Sequence, residues 1–127
     1  MLSQRLLIID DEFDLAVLIK EVAEDCGYDV RITVDSNSFK QTYASFRPDL
    51  IVLDLSLPGL DGIQLLRFLA DNECTAKLLI VSGFDRKVRN AAEQLGGARG
   101  LKMVGNIPKP LRLSDLRVLL DGLRTAA

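Results

Sequence analysis

The sequence has 127 residues, enough for one core that needs no disulfide or metal staple. Its 16 basic and 18 acidic residues leave a formal charge of −2, which argues against direct nucleic-acid binding by bulk electrostatics. There is no histidine, which excludes imidazole-based catalysis and imidazole metal sites. The two cysteines, Cys26 and Cys74, have no CxxC or metal spacing and read as small hydrophobes in a reducing compartment. Residues 1–5 lack the basic and apolar regions of a signal peptide, and no apolar run is long enough to span a bilayer. A soluble, cytoplasmic protein with no membrane partner is expected.

In chain order, short apolar runs alternate with amphipathic stretches. Residues 5–9 read as a buried strand. Leu15, Leu18, Ile19, Val22, Ala23 and Cys26 then recur at spacings of three and four, predicting a helix that Gly27 ends. Residues 29–34 form a weaker, alternating strand suited to a sheet edge. Residues 36–46 predict a helix presenting Phe39, Tyr43 and Phe46, with Pro48 as its stop. Residues 50–53 are the most apolar strand and so the most central. A Pro/Gly loop over 54–62 leads to a helix over 63–70. Residues 78–81 give a fourth strand, and Ser82-Gly83 opens the next loop. Val88, Ala91, Ala92 and Leu95 mark a fourth helix with a light apolar face, ended by Gly96-Gly97. A fifth strand begins over 101–104. The last helix, over 113–123, turns Leu116, Leu119, Leu120 and Leu123 inward. It reaches the end of the sequence, so any output domain is expected to lie outside these residues.

Five βα units in succession predict an α/β fold with a parallel sheet and helices on both faces, in a single domain over 1–127. In such sheets ligands bind at the carboxyl ends of the strands. Asp10 and Asp11 follow the first strand, with Glu12 next; Asp54 follows the third, Ser82 the fourth, and Lys109 lies between Pro108 and Pro110 after the fifth.

Each of these residues has an ordinary explanation. Asp54 could cap its loop, Asp10 or Asp11 the first helix, and Ser82 the fourth helix; Lys109 could be a solvated surface lysine. Gathered at one rim, the acids would raise one another's pKa, and a hard divalent cation would relieve that charge. Mg²⁺ accepts few carboxylates, several waters and phosphate oxygens. Lys109, its backbone fixed by two prolines, supplies a point charge for a carboxylate or a phosphate. A carboxylate flanked by a metal and a cation suits phosphoryl transfer onto the carboxylate.

Asp10-Asp11, the stretch LIVLDLSLPGLDG around Asp54, LLIVSG at Ser82 and PKP at Lys109 together resemble the receiver domain of two-component response regulators, over essentially the whole chain. The resemblance implies a flavodoxin-like, doubly wound (βα)5 fold with strand order 2-1-3-4-5. It implies Mg²⁺-dependent phosphorylation of Asp54 by a histidine kinase or a histidine phosphotransfer protein, switching an output domain or effector protein. Such a protein catalyses only its own phosphorylation and dephosphorylation. The metal ligands would be Asp11, Asp10 through water, Asp54 and the backbone carbonyl of Ser56. Lys109 would pair with phosphoryl oxygens, Ser82 would be the switch hydroxyl, and the Lys109–Pro110 peptide would be cis. Ser56 and Phe84 stand where the family tunes water access to the phosphoryl group. A homodimer through the fourth and fifth helices also rests on this resemblance.

One departure stands out: the aromatic residue usual three positions before the lysine is Asn106 here, and the approach to the lysine is longer than usual. The first alternative is therefore a pseudo-receiver, a protein-interaction module that is never phosphorylated. A haloacid-dehalogenase-type phosphatase would need a second Asp at position 56, where Ser56 cannot act as general acid. A flavin protein of the same topology would not tolerate Asp10-Asp11-Glu12 beside the flavin phosphate.

Overall fold

The computed structural model describes residues 4–57 and 62–125. Five strands, β1 (Arg5–Ile9), β2 (Asp29–Thr33), β3 (Leu50–Asp54), β4 (Lys77–Ser82) and β5 (Lys102–Pro108), alternate with five helices, α1 (Phe13–Asp25), α2 (Ser36–Phe46), α3 (Gly62–Asp71), α4 (Arg86–Ala98) and α5 (Leu113–Thr125). Every strand pair is parallel, and the order is β2-β1-β3-β4-β5. This is the flavodoxin-like arrangement. The loop residues Pro58 and Gly59 lie outside the described residues.

The strand chemistry sets the order. β1, β3 and β4 are almost wholly buried because helices cover both of their faces, so both side-chain parities must be apolar. One face of the sheet packs Leu7, Ile9, Ile51, Leu53, Leu78 and Ile80 against α2, α3 and α4. The other packs Leu6, Ile8, Val52, Leu79 and Val81 against α1 and α5. β2 and β5 are the edges, and their polar residues alternate or cluster accordingly.

Gly27 ends α1 in the left-handed region, at φ 97°, as expected of a helix-terminating glycine. Within α1, Leu18 is exposed and Ala16 takes a buried position instead.

The largest correction falls on α4. Gly96-Gly97 do not end it; the helix runs through both to Ala98, and Gly100, at φ 89°, is the residue that turns the chain. A Cβ on Gly96 would lie 2.6 Å from Met103 Sδ, so the glycine is there to let α4 approach β5. The predicted apolar face is also thinner than its spacing suggests. Ala92 is buried with Gly96, whereas Val88 and Ala91 are exposed.

β5 carries a bulge. Leu78 pairs with Met103 and Leu79 with Gly105, leaving Val104 without a partner. The bulge thus takes up one residue in the approach to Lys109. Beyond it Ile80 pairs with Asn106 and Ser82 with Pro108, and Lys109 N donates to Ser82 O at 2.9 Å.

Candidate functional site

The carboxyl ends of β1, β3, β4 and β5 meet at one rim, as the alternation of elements predicts. Asp10 and Asp54 are buried there, and the Lys109 ammonium bridges them. Its Nζ lies 3.1 Å from Asp10 Oδ2, 3.3 Å from Asp10 Oδ1 and 3.2 Å from Asp54 Oδ2. The lysine is therefore not a solvated surface residue; its side chain is only 11% exposed. A third acid, Glu12, reaches the same nitrogen at 3.0 Å from a largely exposed position. The sequence marked Glu12 only as an acid next to Asp11, because its partner lies 97 residues away.

The two aspartates after β1 do different work. Asp10 turns inward and its Oδ1 also accepts from Glu12 N at 2.9 Å. Asp11 stays exposed at the mouth. Neither caps α1, whose first turn has no side-chain cap. Carboxylate oxygens of Asp10, Asp11 and Asp54 lie within 4.8 Å of one another, close enough to share one cation. The set is all oxygen and carboxylate-rich, the chemistry of a hard divalent ion such as Mg²⁺.

Asp54 uses its two oxygens differently. Oδ1 accepts from Ser56 N at 2.9 Å and Ser56 Oγ at 2.7 Å, so Asp54 does stabilise its own loop. Oδ2 faces Lys109. Among the described residues no buried side-chain nitrogen or oxygen lacks a partner.

Burial raises the pKa of Asp10, and the Asp54 charge adds to this against the opposing hydrogen bond from Glu12 N and the Lys109 charge. Burial would lower that of Lys109, but its bonds to Glu12 and Asp10 and the Asp54 charge outweigh it and raise it above the ordinary 10.5. The ammonium is thus held charged among the carboxylates.

Ser82 is fully buried at the end of β4, and its Oγ accepts from Phe84 N at 2.9 Å. It does not cap α4; Asp85 does, accepting from Val88 N at 3.0 Å. The Lys109–Pro110 peptide is cis.

The sequence matches the family model of the response regulator receiver domain over residues 6–121. Sporulation initiation phosphotransferase F of Bacillus subtilis is 23% identical over 117 residues, covering 92% of this chain and 90% of that protein. The alkaline phosphatase synthesis transcriptional regulatory protein PhoP of the same organism is 31% identical over 86 residues, covering 68% of this chain and 36% of that protein. A solved response regulator from Colwellia psychrerythraea superposes with a TM-score of 0.78 at 28% identity, covering 99% of this chain and all of that one. This chain belongs to the receiver domains of two-component response regulators. Receiver domains bind Mg²⁺ at an acidic pocket, and the aspartate cluster fits that ion. The comparisons give no support to a non-phosphorylated pseudo-receiver. Among the described residues no helix is long and apolar enough to cross a membrane.

Proposed function

We propose that residues 1–127 act as one cytoplasmic receiver unit whose phosphoacceptor is Asp54. The observation that carries this reading is the buried Asp54 carboxylate with Lys109 Nζ at 3.2 Å and two further aspartates within metal-sharing distance. The donor would be a histidine kinase or histidine phosphotransfer protein, in keeping with the phosphotransferase named among its relatives. An Asp54 oxygen forms a bond to phosphorus as the donor's P–N bond breaks and the leaving imidazole takes up a proton. The product is an acyl phosphate.

Lys109 moves from carboxylate to phosphoryl oxygen as the charge transfers, keeping the site neutralised. Mg²⁺, when bound, supplies the remaining charge stabilisation on the phosphoryl oxygens. Asp11, Asp10, Asp54 and the Ser56 carbonyl would hold it, with Asp11 the residue already at the mouth. Ser82 would turn its hydroxyl hydrogen to a phosphoryl oxygen while its Oγ still accepts from Phe84 N, biasing the β4–α4 loop. The output is an effector protein or a further domain. One transcriptional relative extends well beyond the stretch this chain matches, and the net charge of −2 argues against this domain being itself the DNA reader.

The test is intact-protein mass after incubation with acetyl phosphate and Mg²⁺. A phosphoryl adduct is expected on the wild type and absent from Asp54→Asn and from a chelated sample. If the folded wild type took no adduct from acetyl phosphate or from a phosphohistidine donor, the reading would be wrong. Asp11→Ala is expected to lower Mg²⁺ affinity; unchanged affinity would remove Asp11 from the ligand set.

A further inference from the structure

Where the family usually has an aromatic switch residue, this chain builds a polar one. Asn106 faces α4, and its side-chain amide is fully engaged there. Its Nδ2 donates to Glu93 Oε1 at 2.9 Å and to Asn90 Oδ1 at 3.1 Å, and its Oδ1 accepts from Arg89 Nε at 3.1 Å. Arg89 also donates through Nη1 to Phe84 O at 2.8 Å. Phe84 N donates to the buried Ser82 Oγ. Hydrogen bonds therefore connect the hydroxyl at the rim, through the backbone of one residue of the β4–α4 loop, Phe84, to three residues of α4 and one of β5.

An edge asparagine satisfied by its neighbours would by itself be unremarkable. Two features of α4 give it more weight. Its first half has little apolar anchorage, since residues 86–88 are exposed and Ala92 is the first buried side chain along it. The polar contacts from Asn106 and to Phe84 O therefore hold that half in place. Gly83, between Ser82 and Phe84, also faces open space: a Cβ on it would meet nothing within 4 Å. With Asp85 capping the helix, the loop end and the first turn form one unit.

We propose that Arg89 and Asn106 form a latch that holds the first half of α4 against β5 while Asp54 is unmodified, and that capture of the Ser82 hydroxyl by a phosphoryl group on Asp54 opens it through Phe84. The inference rests on Asp54 being the phosphoacceptor. Movement of Ser82 draws Phe84 N with it, and the Phe84 carbonyl leaves the Arg89 guanidinium. Arg89 then no longer braces Asn106, and the helix start is released. The signal is a loss of polar attachment rather than the burial of a ring.

Amide hydrogen exchange over residues 84–95 tests this, in wild type, Asn106→Leu and Arg89→Met, with and without acetyl phosphate and Mg²⁺. The intact mass of each sample is read alongside. In the wild type the adduct is expected to speed exchange in this segment by about three- to tenfold, the worth of roughly one net hydrogen bond. The variants are expected to take the adduct but to exchange at the faster rate already, with little further rise. Exchange over β1 and β3 reports whether they are folded. Variants with wild-type exchange at rest would overturn the latch. So would a wild type that takes the adduct without change over 84–95, an outcome that needs no variant and leaves Asp54 as phosphoacceptor. No adduct on the wild type would defeat the phosphoacceptor reading and the opening of the latch together.

Discussion

The centre of the rim and the α4–β5 edge are built from opposite materials. At the centre, continuous apolar strands end in charges that are buried and cross-braced by one ammonium: the side chains of Asp10 and Asp54 are 3% and 1% exposed. At the edge, β5 contains a glycine, an asparagine and a bulge, and Asn106 there meets α4 through amides, a carboxylate and a guanidinium. The centre is costly to disturb because its charges have no water to fall back on. The edge is cheap to rearrange because its partners are half exposed and each contributes little. The proposed phosphoryl switch would use both, a rigid place for the charge to land and a soft place to register it.

The sharpest way to break the contrast is to remove the brace. Lys109→Ala leaves Asp10 and Asp54 facing each other in a buried site, and is expected to cost about 3–5 kcal/mol in chelated solution. Urea unfolding measures this, and saturating Mg²⁺ should restore much of the loss. A loss within about 0.5 kcal/mol would mean that the centre is no stiffer than the edge. The same brace has a pH signature. Because the folded pKa of Lys109 is raised above 10.5, its ion pairs stabilise fully below about pH 10, and the contribution is lost as pH rises through the higher folded value. Lys109→Met should lack that part of the alkaline decline in stability.

Packing gives the next contrast. Ile51→Ala, at a fully buried position of β3, is expected to cost about 2–5 kcal/mol. Val88→Ala, on the exposed start of α4, is expected to stay within about 0.5 kcal/mol. Comparable losses would show that α4 is anchored by apolar contact after all. The smallest effect separates two adjacent glycines. Gly97→Ala meets nothing within 4 Å and should gain about 0.5–1 kcal/mol from helix propensity. Gly96→Ala should fall short of that gain, because Met103 must move aside. Equal gains in urea midpoint would mean that α4 can back away from β5 without cost.

The sequence was most legible where one residue's surroundings follow from its neighbours in the chain. β1, β3 and β4 are apolar throughout their interiors because both faces are covered, and their ends locate Asp10, Asp54 and Ser82 without further information. It was least legible where the deciding neighbour is distant. Gly96-Gly97 reads as a helix stop until Met103 is seen packed against Gly96. Asp10 and Asp11 are indistinguishable as letters, and only the position of Lys109 makes one a buried partner and the other an exposed one. Asn106 was visible as a departure, but its meaning depends on Arg89, Asn90 and Glu93, which lie on another element. The longer approach to Lys109 was visible in the letters, but the unpaired Val104 within it appears only in the pairing of β4 with β5.

That unpaired Val104 separates the length of β5 from the position of its end. Past it the strand is back in step, and the lysine is set by a main-chain bond to Ser82 rather than by how many residues precede it. The edge thus works as a slip joint. Chain can be added or taken up there while the bridging ammonium keeps its place, so variation in this strand need not be read as damage to the site it leads to.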